Sequence, residues 1–469
     1  MSVELFSLGA AQEVTGSKHI IAVNERQVMI DCGAFQGKRD ETDKKNRNFS
    51  VPMEKLDAVV LTHGHYDHCG LLPVLTKKGY NGNIYATPAT RDIANLVMMD
   101  SAKIQARDAS YLSKQARKKN ERFLWKPLFN EEDVIKTENQ IVSISYNRKT
   151  YIAPNISLEF FDAGHILGSG FAYLTIADGA EEKRVLFTGD IGRKKKPIIR
   201  DPATYFPPPD YIVLESTYGN RTHDNREFAI NELEKVVNEA CDKNGKIIIP
   251  SFAIERAQEL IFQLHLLVDQ NRIPSIPIYV DSPMAVNATS VFRVHPECYD
   301  EEVNEAFLKH HKNPFGFGAL SFVSSVEESK MLNEKRGPMI IISADGMCEA
   351  GRVLYHLANS VGDARNTILI VGYMAENTLG RKIRDGEKDV RILGDMYHIN
   401  AEVKQINAFS AHADYIEMTD WLKSINTKYL KNIFLVHGEK DAQAFFINHL
   451  HKNGFSNVTT VKYGETYRL

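Results

Sequence analysis

Residues 62–70 read THGHYDHCG, which sets His63, His65, Asp67 and His68 on one short stretch directly after the apolar run DAVVL (57–61). His63 and His65 are two apart, so on extended backbone they point the same way. Asp67 and His68 fall where GLLPVLTKKG (70–79) begins to read as helix. One pair can serve one ion and the other pair a second. Imidazole and carboxylate suit a divalent ion such as Zn²⁺, whose sites in enzymes keep a position open for water. H-x-H-x-D-H behind a buried strand is a far more restrictive pattern than a lone histidine.

Working outward, other apolar runs also end abruptly in a polar residue: RVLFTGD (184–190), YIVLEST (211–217) and NIFLVHGE (432–439) read as buried strands. His165 in FFDAGHILGS, Asp190 in LFTGD and His437 in LVHGE stand at such strand ends. Each alone is more often a satisfied polar residue at a strand terminus, Asp190 above all; their joint occurrence with the loop argues for a ligand set. Helical patterns lie between the runs, as over 225–244, where Phe228, Ile230, Leu233, Val236, Val237 and Ala240 recur at helical spacing before Asn244-Gly245. Alternation of this kind predicts α/β architecture. HIIAVNERQVMIDCG (19–33) predicts two strands joined at a polar Asn-Glu-Arg turn, so the first sheet should be mixed. A further strand-helix series from about 222 to 391 is long enough for a domain of its own.

The whole-chain quantities bound the function. With 469 residues the chain exceeds what one core usually supports. Hydrophobic residues at 43% and charged residues at 25% exclude an intrinsically disordered chain. Lys plus Arg (57) nearly balances Asp plus Glu (60), so total charge points to neither nucleic acid nor membrane. Five scattered cysteines, none paired as C-x-x-C, predict a reducing, cytoplasmic home. No export signal and no membrane span are expected.

Asp31 in MIDCG, then HGHYDH, AGHILGS and FTGD, resembles the motif order of the metallo-β-lactamase fold. EST (215–217), FSAHAD (409–414) and LVHGE (435–439) resemble the late motifs of its β-CASP subfamily of nucleic-acid-processing enzymes, and PSFAIERAQEL, DSPMA, SADGMCEAGRV and GYMAENTLGR resemble that subfamily's inserted domain. Within it the chain is most similar to the group that contains the endonuclease subunit of the pre-mRNA 3′-end cleavage factor and stand-alone prokaryotic relatives. It carries Ser-Ala-Asp-Gly-Met at 343–347, where many relatives have Ser-Ser-Gly-Met.

The resemblance implies an αββα metallo-β-lactamase sandwich from residues 1–219 and 405–469, with an α/β β-CASP domain, 220–404, inserted. It implies a ribonuclease, endonuclease or 5′-to-3′ exonuclease, acting on single-stranded RNA. It implies two Zn²⁺ per chain, or Mn²⁺ in their place: one held by His63, His65 and His165, the other by Asp67, His68 and His437, with Asp190 bridging. Water shared by two cations would give a hydroxide aimed at phosphorus. His412 would protonate the leaving 3′-oxygen with Glu215 holding its ring, leaving a 3′-hydroxyl and a 5′-phosphate. Asp31 would orient a ligand histidine or serve a structural turn.

Ser343 and Gly346 would present hydroxyl and backbone N–H to an RNA phosphate, or the glycine would serve packing alone. Arg256, Arg352 and Arg381 are candidate backbone contacts, with ordinary surface arginines as the alternative. Of two basic runs, 113–127 reads as a solvated face and 192–200, close behind Asp190, as a path for RNA. His398 stays outside the site. A homodimer is a family expectation with no pattern behind it. The competing functions are a lactonase- or thioesterase-like hydrolase, a DNA-processing nuclease and an inactive RNA-binding scaffold; against the last, every ligand is present.

Overall fold

The strand that delivers the histidine loop, Leu56–Val60, lies inside a seven-stranded sheet, and Ala58, Val59 and Val60 are fully buried. The computed structural model describes residues 2–469 except 38, 49, 50, 121, 124, 179, 180, 224, 225, 302, 306–312, 314, 373, 375, 376 and 407–409. Asn225 of the expected helix, Tyr373, Ala375 and Glu376 of GYMAENTLGR, and Phe409 of FSAHAD therefore lie outside the described residues.

The first sheet runs in the order Thr466–Arg468, Val3–Ser7, His19–Val23, Arg26–Ile30, Leu56–Val60, Asn83–Ala86, Ile141–Ser143. Its first four strands pair antiparallel and the rest parallel, which makes it mixed. The hairpin turn is shorter than the Asn-Glu-Arg expected: Arg26 already pairs with Val23, because Asn24 takes a left-handed φ of 56° and closes the turn with Glu25 alone.

The second sheet runs Val458–Thr460, Asn432–Val436, Tyr211–Glu215, Glu181–Phe187, Gly170–Asp178, Ile156–Asp162, Thr150–Ala153. Period-two alternation makes each of its strands serve two layers. Phe160, Val185, Phe187 and Val213 pack with Leu5, Val28 and Val60 of the first sheet, while Phe161, Leu186, Ile212 and Leu214 pack on the other face with Trp421 and Phe446. Trp421 and Phe446 belong to the helices Tyr415–Ser424 and Lys440–Lys452. The helix Pro88–Lys118 buries Ile93, Ala94, Val97 and Met98 but none of its last turns, where the first basic run begins.

Two compact units divide the chain: Met1–Lys196, Asp201–Thr222 and His412–Leu469 form one, Pro197–Arg200 and His223–Ala411 the other. The second holds a six-stranded, all-parallel sheet in the order Leu320–Phe322, Ile278–Val280, Met339–Ser343, Lys246–Pro250, Thr367–Ile370, Glu402–Gln405. Such a sheet is covered on both faces, so its strands read as unbroken apolar runs such as KIIIP and MIIIS. Among the described residues no helix is long and apolar enough to cross a membrane.

One charge in this unit is fully enclosed. Asp281 accepts from Ser329 Oγ and Arg352 Nη1, both at 2.5 Å, and lies 2.6 Å from His356 Nε2, whose other nitrogen is 2.8 Å from Asn333 Oδ1. Burial alone would favour the neutral acid, but the bonds from His356, Ser329 and Arg352 hold the carboxyl below its usual range. A depressed folded-state pKa contributes stability at neutral pH that is lost as the pH falls through it. Asp281→Asn should therefore cost about 3–5 kcal/mol at pH 7 in denaturant unfolding. That gap should narrow below about pH 4; a pH-independent gap would mean that Asp281 is not charged in the native state.

Candidate metal centre and active site

The histidine loop is held in place mostly by backbone. The N–H groups of Ser17, Cys32 and Ala34 donate to the carbonyls of Asp67, His68 and Tyr66 at 2.9, 2.8 and 3.1 Å. Gly33 makes the approach feasible: a Cβ there would stand 1.5 Å from Asp67 O and 2.7 Å from His68 N. Asp31 and His437 take left-handed φ of 62° and 48°, a conformation that for such residues persists only where the surroundings enforce it. Asp31 Oδ1 accepts the Thr62 N–H at 2.8 Å, and its Oδ2 accepts the Thr62 hydroxyl and lies 2.8 Å from His68 Nδ1.

The loop and the strand ends bring two donor sets together. His65 Nδ1 lies 3.1 Å from His63 Nε2 and 3.2 Å from His165 Nε2, and Asp190 Oδ2 is 3.4 Å from both Nε2 atoms. On the other side His437 Nε2 is 3.3 Å from His68 Nε2 and 3.4 Å from Asp67 Oδ2, and Asp190 Oδ1 is 3.4 Å from His68 Nε2. Donors about 2.0–2.1 Å from a tetrahedral cation are separated by about 3.3–3.4 Å. Converging imidazole nitrogens repel one another unless a proton or a cation lies between them. Asp190 Oδ1 and His165 Nδ1 are buried without a hydrogen-bond partner, a costly arrangement for a polar atom that nothing else engages. This donor set fits divalent cations of the zinc type, in two groups that meet at Asp190.

The electrostatics agree. Burial lowers the basicity of His63, His65 and His165, His65 to about 3, so each presents a neutral lone pair. Burial opposes charge on Asp190 too, but His437, His68, His412 and His63 hold it well below the usual carboxylate range. His68 is raised, against the pull of burial, by Asp190 and Asp31, so a cation bound there displaces a proton.

Glu215 ends its strand fully buried, with Oε1 accepting the Ile191 N–H at 2.8 Å and lying 2.9 Å from His412 Nδ1. A backbone bridge from Gly192 to His412 holds the histidine beside the metal-facing aspartate, His412 Nδ1 being 3.9 Å from Asp190 Oδ2. Its side chain is 19% exposed. Burial works against its protonation, but Glu215 and Asp190 outweigh it and raise it to about 9. With Nδ1 facing Glu215, Nε2 is on the opposite edge of the ring.

Asp31, His63, His65, Asp67, His68, His165, Asp190, Glu215, His412 and His437 thus all lie in one unit. The remaining expected site residues lie in the other and are engaged there. Ser343 Oγ donates to Asp281 O, and a Cβ on Gly346 would press on Phe252 at 2.9 Å. Arg256 pairs with Glu259, Arg352 with Asp281, and Arg381 with Asp385. Asp345 has a local task, accepting from the Met347 and Glu349 N–H groups across the turn. His398 sits exposed on the hairpin Asp389–Ile392/Asp395–His398, 2.9 Å from Asp389.

Residue-by-residue reading missed the supports. Thr62 and Thr217 place their hydroxyls 3.2 and 2.9 Å from Nδ1 of His63 and His437, and Ser17 Oγ lies 3.3 Å from His68 Nε2. In the second basic run, Lys196 Nζ donates to His165 O at 2.7 Å and Arg193 pairs with Glu417, so two of its cations brace the site from within. Nearness in sequence to a motif was the available signal for both threonines; nothing local distinguishes Ser17.

Residues 19–220 match the metallo-beta-lactamase superfamily, 257–383 the Beta-Casp domain, and 396–461 the Zn-dependent metallo-hydrolase RNA specificity domain. Ribonuclease TTHA0252 of Thermus thermophilus is 36% identical over 440 residues, covering 94% of each chain. The chain belongs to the β-CASP family of metallo-β-lactamase hydrolases. Two proteins named transcription termination factor FttA are also similar to this β-CASP hydrolase: that of Methanosarcina mazei, 30% identical over 100% of this chain and 72% of its own, and that of Methanocaldococcus jannaschii, 33% identical over 92% and 66%. The chain thus spans about two thirds of these factors' length. A solved structure of a protein of unknown function from Enterococcus faecalis covers all of both chains at 11% identity with a TM-score of 0.56, a likeness of fold alone.

Gly33→Ala in this hydrolase should lower the uptake of added divalent metal while leaving far-UV circular dichroism unchanged, because the added methyl meets the loop backbone and not the sheet core. Metal analysis of the purified variant beside wild type checks this; undiminished uptake would show that the loop moves freely.

Proposed function

We propose that this β-CASP hydrolase is a zinc-dependent ribonuclease that hydrolyses phosphodiester bonds of single-stranded RNA, as an endonuclease, a 5′-to-3′ exonuclease or both. The observation that carries the reading is the His412–Glu215 pair, 2.9 Å apart, with His412 Nδ1 3.9 Å from Asp190 Oδ2, in a chain whose residues 396–461 match an RNA specificity domain. A leaving 3′-oxygen needs a proton, and a histidine kept protonated beside a buried glutamate can give one.

In this reading His63, His65 and His165 would hold one zinc ion and Asp67, His68 and His437 the other, with Asp190 shared between them; manganese is the alternative metal. When bound, such a pair acidifies water and takes up charge on phosphate oxygens. Asp31 aims His68, Glu215 aims His412 and keeps it charged, and His412 protonates the leaving group, giving a 3′-hydroxyl and a 5′-phosphate. Residues 1–219 and 405–469 form the hydrolase domain and 220–404 the inserted β-CASP domain. Arg381, one third exposed, is the substrate contact we retain; Ser343, Gly346, Arg256 and Arg352 serve their own domain. Five free cysteines support a reducing, cytoplasmic setting.

Cleavage of 5′-labelled single-stranded RNA tests the reading, beside matched DNA and a panel of lactones and thioesters. His412→Ala should lose about 10²–10⁴ in rate with zinc content unchanged. Internal fragments mean endonuclease, released mononucleotides exonuclease. Intact RNA with turnover of the small esters, or of DNA alone, would sink the proposal.

A further inference from the structure

Thr217 stands two residues after Glu215, and its hydroxyl has two partners on one residue. Oγ1 is 3.1 Å from His437 O and 2.9 Å from His437 Nδ1. A hydroxyl carries one hydrogen, and a carbonyl can only accept. With that hydrogen on the carbonyl, Oγ1 is left to accept from Nδ1–H. That leaves the lone pair of the ring on Nε2, the nitrogen 3.3 Å from His68 Nε2 and 3.4 Å from Asp67 Oδ2. A second acceptor near Nδ1, Asp190 Oδ1, is farther away at 3.4 Å.

The hydroxyl is placed by its neighbour. Ser216 donates its Oγ–H to Val436 O at 2.6 Å and its N–H to His437 O at 3.2 Å, so the segment is pinned to the strand that carries His437. A Cβ on Gly438 would stand 2.4 Å from Ser216 Oγ. Thr62 repeats the device on the other donor set, giving its hydrogen to Asp31 and lying 3.2 Å from His63 Nδ1.

We infer that Thr217 is a positioning residue that locks His437 in the Nδ1–H tautomer and thereby sets the affinity of the ion held by Asp67, His68 and His437. The inference rests on the two-ion reading proposed above. It also makes Glu215-Ser216-Thr217 a single fixture: Glu215 aims His412, Ser216 fastens the strand, and Thr217 aims His437.

The test uses the full chain, stripped of metal and titrated with Co²⁺ alone, followed by visible absorption, then with Zn²⁺ in competition. Wild type should take up two ions. Thr217→Val, nearly isosteric, should keep the affinity of one ion and lose about 10–100-fold for the other. Its circular dichroism and melting should be unchanged. Thr217→Ser should restore wild-type affinity. In long-range ¹⁵N–¹H spectra of histidine-labelled apoprotein, His437 should be the Nδ1–H tautomer in wild type and a mixture in Thr217→Val. Wild-type affinity in Thr217→Val would overturn the inference, and so would Thr217→Ser as weak as Thr217→Val, since the methyl contact would then be what matters. Wild type taking up fewer than two ions would overturn the two-ion reading and this inference with it. Failure to cleave RNA would leave both standing, because no activity is read.

Discussion

Seven electron-pair donors, drawn from four separate stretches of chain, are forced to within about one donor–donor spacing of their neighbours at the edge of two packed sheets. The strain of that arrangement is visible in the atoms: Asp190 Oδ1 is buried without a hydrogen-bond partner, and imidazole nitrogens face one another. Such a cluster is a local minimum only if the scaffold around it is stiff or a cation fills it. The scaffold is stiff here. The left-handed backbone at Asp31 and His437, the glycine that lets Asp67 approach strand-end backbone, and the threonine hydroxyls all restrict motion of the donors.

Asp31 distributes that restraint. One oxygen receives the Thr62 amide, and the other serves the Thr62 hydroxyl and His68, so a single carboxylate steadies a histidine in each donor set. Asp190 joins the sets from the opposite side, with one oxygen facing each. The His412–Glu215 pair is coupled to the same frame, since Glu215 accepts the amide of Ile191, the residue after Asp190. His412, Asp190 and the donor sets therefore hang on one frame.

Much of this was legible in the residues. H-x-H-x-D-H, with polar residues ending apolar strands, announces a donor set, because metal chemistry restricts side-chain type and spacing. The parallel strands were legible for the same kind of reason: a strand buried on both faces, such as KIIIP, has no room for polar alternation. The supports were not legible, because a serine or threonine hydroxyl can satisfy itself almost anywhere and its sequence carries no mark of its partner. Ser17 reaches His68 only through the pairing of the first hairpin. Arg352 and Ser343 show the converse limit. An arginine or serine in a family-like motif reads as a substrate contact, and the motif carries no mark of the bonds both make to Asp281.

His68 and His437 face each other across 369 positions of sequence. The strand Asn432–Val436 that delivers His437 pairs with Tyr211–Glu215, which is synthesised far earlier and until then has an open edge. During translation the amino-terminal donors therefore emerge long before their last partner, and the second sheet stays unfinished while the whole intervening unit is made. The donor set is complete only once His437 has been made. A polypeptide that stops before His437 lacks the complete donor set, so the topology makes the set wait for the whole intervening unit.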